Sequence, residues 1–162
     1  MTNSGDLKVT ANGDREIVMT RSFNAPRHLV FDALSKPELV KQWLLGPPGW
    51  SMPVCEIDFR IGGKYRYVWR HTNGKEMGMG GVYREIVRPE RIVNTEVFDE
   101  SWYPGEAQGT TTIVERNGKS VLTQTMRYET REARDGVLRS PMESGVAISY
   151  NHLEQLLASM AA

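Results

Sequence analysis

The sequence predicts an α+β domain in which a curved antiparallel sheet wraps one amphipathic helix at the C-terminus, and three patterns predict it. From Cys55 to Trp69 apolar and charged residues alternate on both sides of Gly62-Gly63. That places Cys55, Ile57 and Phe59 on one face of a first segment, and Tyr65, Tyr67 and Trp69 on one face of the next. A period of two on each side of a turn that accepts positive φ marks an antiparallel hairpin with one wet face. Further alternating segments follow, separated by the short turns Arg88-Pro89-Glu90 and Asn117-Gly118, so consecutive strands become antiparallel neighbours. From Met142 to Met160 the period changes: Met142, Val146, Ser149, Leu153, Leu156 and Met160 recur at intervals of four and three, and Tyr150 and Leu157 widen the stripe. Strands followed by one long helix suit a single sheet packed on that helix.

In chain order, residues 1–14 are rich in Asn, Gly, Ser, Thr and Asp and read as a flexible lead-in to one domain over residues 15–162. A strand over Arg15–Phe23 puts Ile17, Met19 and Phe23 on one face, interrupted by Arg21. Pro26 suits a helix start, and Leu29, Val30, Ala33 and Leu34 then recur at helical spacing until Lys36-Pro37 breaks it. A second short helix from Pro37 to about Leu44 ends before Gly46-Pro47-Pro48-Gly49. After the hairpin come strands at Met77–Val87, Arg91–Phe98, Thr110–Arg116 and Val121–Tyr128. Gly78, Gly80 and Gly81 inside one of them predict a bend or bulge. Arg127 to Arg139 mixes both charge signs and reads as a mobile loop.

At 162 residues the chain has room for one core and little for two. Its 20 Lys and Arg balance 20 Asp and Glu, which leaves no positive field to draw nucleic acid. No window approaches a membrane span, and the N-terminus lacks the apolar stretch of a signal peptide, so the expected location is the cytoplasm. Cys55 is the single cysteine; it excludes an internal disulfide and reads as an inert buried thiol. His28, His71 and His152 share no ligand spacing, no GxSxG elbow occurs, and no cofactor is expected.

Four stretches together resemble a known family, the activators of heat-shock protein 90 ATPase homologues within the START-like, SRPBCC superfamily. They are TRSFNAPRHLVFDALSKPELVKQW (20–43), EIDFRIGGKYRY (56–67), GGVYREIVRPERIVNTE (80–96) and MESGVAISYNHLEQLL (142–157). The resemblance implies a helix-grip fold, the birch-pollen-allergen-like arrangement of a curved sheet around a long C-terminal helix with a cavity between them. The chain departs from the family pattern at Val146, where an aromatic is common, and at Tyr150 and Asn151.

Three large aromatics on the buried face of the hairpin are bulkier and wetter than a core strand needs, which points to a cavity wall. The candidate lining is Trp43, Trp50, Phe59, Tyr65, Tyr67, Trp69, Met77, Met79, Trp102, Met126, Met142, Val146 and Tyr150; the plain alternative is that these residues fill a core. Trp50 and Trp102 sit in the loop sequences GPPGW and SWYPG, where a lid or binding patch is their reading. The one catalytic candidate is Glu96. Alternation over Arg91–Phe98 offers Asn94, Glu96 and Phe98 or Val93, Thr95 and Val97 as the inner face, and we read the second as inner, leaving Glu96 solvated. On an inner face, Glu96 and Gln124 would be polar groups in an apolar cavity, where a carboxylate's raised pKa suits acid–base work. Glu56, Asp58 and Arg60 form an outer charged stripe that Arg66 and Arg70 are placed to pair with. The expected function is binding of a hydrophobic or amphipathic small molecule. The other classes are a co-chaperone-like module acting on a chaperone ATPase and a cyclase or hydrolase using the same cavity. Strand edges and loop aromatics permit a homodimer without requiring one.

Overall fold

Strands β1 (Lys8–Asn12) and β2 (Glu16–Phe23) open the chain and lead into helices α1 (Arg27–Ser35) and α2 (Pro37–Trp43). Six strands follow: β3 (Trp50–Ile57), β4 (Lys64–His71), β5 (Glu76–Val87), β6 (Arg91–Phe98), β7 (Ala107–Arg116) and β8 (Lys119–Arg127). Helices α3 (Arg131–Arg139) and α4 (Met142–Ala161) complete it. These come from a computed structural model that describes residues 6–100 and 103–161. The eight strands form one antiparallel sheet in the order β1-β2-β8-β7-β6-β5-β4-β3. Helices α1 and α2 carry the chain from β2 to the far edge, and the meander then returns until β8 lies against β2.

Strand β2 shows why the sheet has one wet face. Its residues alternate, with Ile17, Met19, Arg21 and Phe23 buried and the residues between them half-buried. Arg21 keeps to this pattern although it is charged and only 2% exposed. Its guanidinium donates to Asn151 Oδ1 at 3.0 Å and lies 3.7 Å from the Glu154 carboxylate, both residues of α4. Thus a buried cation fixes the helix across the sheet. Within α4 the fully buried residues are Leu153 and Leu157, beside Ser149 and Tyr150. Burying each leucine contributes about 1.5–3 kcal/mol. Met142, Val146, Leu156 and Met160 lie half-buried at the margins of that stripe.

Three local expectations change. Residues 8–12, read from composition as part of a flexible lead-in, form β1, because their backbone pairs with β2 from Lys8↔Thr20 to Asn12↔Glu16. Residues 131–139, read as a mobile loop, form α3. Thr130 caps it by accepting from the Ala133 N–H at 3.0 Å, Ala133 and Val137 are buried, and Arg134 donates to the carbonyls of Gly13 and Glu16. The charges had hidden a narrow apolar stripe. Thr130→Ala should therefore lower stability by about 1 kcal/mol, seen as a lower urea midpoint at an unchanged m value. Finally, the bulge in β5 falls at Arg84, between Tyr83 and Glu85, and not at the glycines. Gly81 has another reason: a Cβ there would collide with the Thr95 carbonyl of β6.

Candidate functional site

The inward face of β4 carries Tyr65, Tyr67 and Trp69, all buried. Tyr65 packs 5.1 Å from the Tyr67 ring and 5.4 Å from Tyr83, and Tyr67 lies 5.8 Å from Trp69. Met79 on β5 is buried beside them, while Trp43 of α2 tilts against Tyr150 of α4 at 5.9 Å. These residues, with Val146 at the margin, make one continuous aromatic cluster. Their polar tips are used inside the protein. Trp43 Nε1 donates to the Ala33 carbonyl at 2.9 Å and Trp69 Nε1 to Leu44 at 2.7 Å. The Tyr65 hydroxyl donates to the Thr95 carbonyl at 2.5 Å, Tyr67 and Tyr83 share a hydrogen bond, and Tyr150 donates to Gln124 Oε1 at 3.5 Å.

The other candidates scatter. Phe59 lies beyond the end of β3 and packs edge-on against Phe31 at 5.7 Å and Tyr83 at 5.0 Å. Met126 is buried in a second, smaller cluster with Tyr103, Ala107 and Tyr128, against which Met142 and Val146 pack. Met77, opposite Trp69, is 43% exposed at the end of the sheet. Trp50 is the first residue of β3 and not a loop residue, and its ring meets His71 at 5.0 Å. Trp102 lies outside the described residues. Tyr83, central to the ring cluster, escaped the sequence reading, although its spacing from Met79 and Gly81 on one strand face would have found it.

The inner face of β6 is the opposite of the one expected. Asn94 stands across from Gly109, and Gly109 across from the buried Met126, so Asn94 and Glu96 point inward while Val97 is 40% exposed. Sequence alternation had supplied the period without its phase; the buried neighbours decide it. Glu96 is half-buried and lies opposite Ala107. On its other side the register passes from Gly80↔Val97 to Tyr83↔Asn94, which brings Gly81 alongside. Small residues on both flanks leave the carboxyl uncovered by the sheet. Desolvation pushes it from its ordinary 4.5 up to about 7. Among the described residues no cation opposes that rise and no donor hydrogen-bonds the carboxylate. Burial first, and the Glu96 charge after it, raise the hydroxyls of Tyr65, Tyr103 and Tyr128, which therefore stay neutral. Asn94 Nδ2 donates to the Tyr65 hydroxyl at 3.1 Å and holds it in place.

Two depressions stand out at the surface. One, of about 400 Å³, lies where β7 begins and β8 ends; Ala107 and Tyr128 are its buried lining, and Arg15, Glu106, Arg127 and Glu129 contribute charges to its rim. The other, about 680 Å³ and wide open, follows the outer face over Gly80, Val82 and Val97. Along it Arg66 binds Asp99 through both terminal guanidinium nitrogens, and not the expected Glu56 or Asp58. Tyr67, Met79 and Val146 line neither depression. Elsewhere, burial pushes the Cys55 thiol up to about 11, which keeps it unreactive. Among the described residues no three His, Cys, Asp or Glu side chains gather as metal ligands, and no helix is long and apolar enough to cross a membrane.

Residues 24–158 match the family described as Activator of Hsp90 ATPase homolog 1-like protein. The chain belongs to this family. A crystal structure of a protein from Rhodobacter sphaeroides is similar over 95% of this chain and 99% of that chain, with a TM-score of 0.89 at 29% identity. A solution structure of a Staphylococcus epidermidis protein aligns over 94% of each chain, with a TM-score of 0.81 at 26% identity. The AHSA1 protein of Silicibacter pomeroyi, at 22% identity, shares the fold over 90% of this chain and 99% of its own, with a TM-score of 0.72. No match was found among curated proteins. The eight-stranded sheet gripping α4 is the helix-grip fold of these Hsp90 ATPase activator homologues.

Proposed function

We propose that this member of the family is a cytoplasmic binding protein that takes a hydrophobic or amphipathic small molecule between its sheet and α4. The observation that carries the reading is Glu96: a half-buried carboxyl on the concave face, with no protein hydrogen bond among the described residues, beside Tyr65, whose hydroxyl is satisfied by the Thr95 carbonyl. A half-buried carboxylate that only solvent can satisfy is a place where a bound molecule can supply the missing partner. The 400 Å³ depression at Ala107 and Tyr128 supports an entry there, its volume within the range of about 300–1,000 Å³ usual for ligand sites. The apolar body of the guest would press on Met126, Met142 and Val146, and the flexible thioethers adapt to it.

Native mass spectrometry of protein purified without detergent, followed by solvent extraction, tests this reading. A co-purifying small molecule is expected. A thermal shift with some single-chain amphipaths is expected as well, since a ligand at a hundred times its Kd adds about 2.7 kcal/mol. No adduct, together with no shift across such a library, would overturn the reading. A second reading, acid–base catalysis in the same place, is favoured by one observation: a carboxyl at about 7 exchanges protons near neutral pH. Under it Glu96→Gln abolishes turnover of the bound molecule while leaving its binding intact.

A further inference from the structure

Among the described residues the inward-facing Glu96 carboxyl has no cation beside it. Around it β4 supplies Tyr65, the segment before β7 supplies Tyr103 and the segment after β8 supplies Tyr128, all neutral phenols. Strands β5 and β7 place Gly81 and Ala107 beside it, and its own strand adds the amide of Asn94. Helix α4 adds Met142 and Val146, β2 adds Ile17 and Met19, and α3 adds Ala133 and Val137, all uncharged, while the buried cation of α3, Arg134, donates to Asp135 and to the carbonyls of Gly13 and Glu16. The nearest charges on the depression are Arg15 and Arg127 against Glu106 and Glu129, which balance and supply no net cation. Among the described residues these elements offer phenols, one amide and apolar surface, and none offers a positive group to the carboxylate.

Resting on the reading that a small amphipath binds here, we infer that its head group is a protonated amine, held by the Glu96 carboxylate and neighbouring tyrosine oxygens, with its hydrocarbon on the Met126 side. An ammonium brings a charge and several N–H donors to a carboxylate that has neither a cation nor a hydrogen-bond donor among the described residues. A carboxylate guest would meet like charge, and a hydroxyl guest would leave the anion unbalanced. Binding of a cation also draws Glu96 into its ionised form. Because the free carboxyl sits at about 7, amine affinity rises with pH, by about tenfold between pH 6 and pH 8, where the alkylammonium itself stays protonated.

The test is calorimetric titration of the full chain with decylamine, decanol and decanoate below their micelle-forming concentrations, at pH 6 and pH 8, for wild type and Glu96→Gln. In wild type at pH 8 decylamine should bind roughly thirtyfold more tightly than decanol. In Glu96→Gln that preference and its pH dependence should vanish while decanol affinity is retained. Equal binding of amine and alcohol by wild type, or an amine preference that survives the substitution, overturns the amine assignment and leaves the amphipath reading standing. Affinity for decanol that falls from pH 6 to pH 8 in wild type overturns it too, since a protonated Glu96 would then be the donor. Failure of all three probes, with no co-purifying molecule, removes both inferences together.

Discussion

Replacing Glu96 by glutamine is expected to raise the melting temperature at pH 8 and to leave it nearly unchanged at pH 4.5. The carboxyl is pushed from 4.5 up to about 7 by desolvation alone, so folding favours its neutral form. The sign follows from linkage: the contribution of this group is complete below about 4.5, is lost as pH rises through 7, and then stays lost. Such a shift corresponds to about 3 kcal/mol at 1.36 kcal/mol per unit, and the water that still reaches the half-buried side chain reduces this to ~2 kcal/mol. Glutamine keeps the shape and removes the ionisation. Wild type and variant should therefore diverge between pH 5 and 8, by roughly 5 °C in a chain of this size. Parallel melting curves across that range would show that Glu96 is solvated after all.

A larger loss is expected from Glu154→Ala. Arg21 is 2% exposed, and Glu154 is the carboxylate 3.7 Å from its guanidinium. Removing it leaves a buried cation with only neutral partners, Asn151, the Ser22 carbonyl and the Phe23 ring, and takes away the acceptor of the Asn24 N–H. Breaking a buried pair from one side costs about 3–5 kcal/mol, because the remaining charge stays desolvated. Taking both charges out is different. The double variant Arg21→Met with Glu154→Leu places apolar groups of similar length in the same space and should recover most of that loss. Urea denaturation of the three variants checks this. A double variant no better than Glu154→Ala would mean that the packing between β2 and α4, and not the charge, was what the substitution damaged.

How much of this was legible in the sequence depends on the kind of signal. Strands β2 and β4 and the helix α4 declare themselves, because each gathers its largest apolar residues on one face and mostly polar or smaller ones on the other. On β6 both faces mix apolar and polar side chains, so alternation supplied a period whose phase depends on Gly109 and Met126 on other strands. That single ambiguity hid the inward direction of Glu96. Strand β1 was invisible because it is held by backbone bonds to β2, with its residues mostly exposed. Helix α3 was masked because Arg134, a charge in the sequence, works as a buried donor to two carbonyls of the β1–β2 turn region. The aromatic excess on β4 was read correctly as inward-facing. Its tips, however, find partners in backbone carbonyls that no local pattern announces.

The strand order sets when the fold can be completed. Strand β2 is made early, yet its inner partner β8 joins it through pairs such as Ile17↔Met126, and Arg21 finds its acid and amide only on α4. On the ribosome the inward face of β2 must therefore wait, with Ile17, Phe23 and an unpaired guanidinium, until nearly the whole chain has emerged. Contacts this distant in sequence make closure of the sheet a late event, on the slow side of small-domain folding. A chain stalled before β8 would present that face to solvent, and the nascent protein is most exposed to misassembly in that interval.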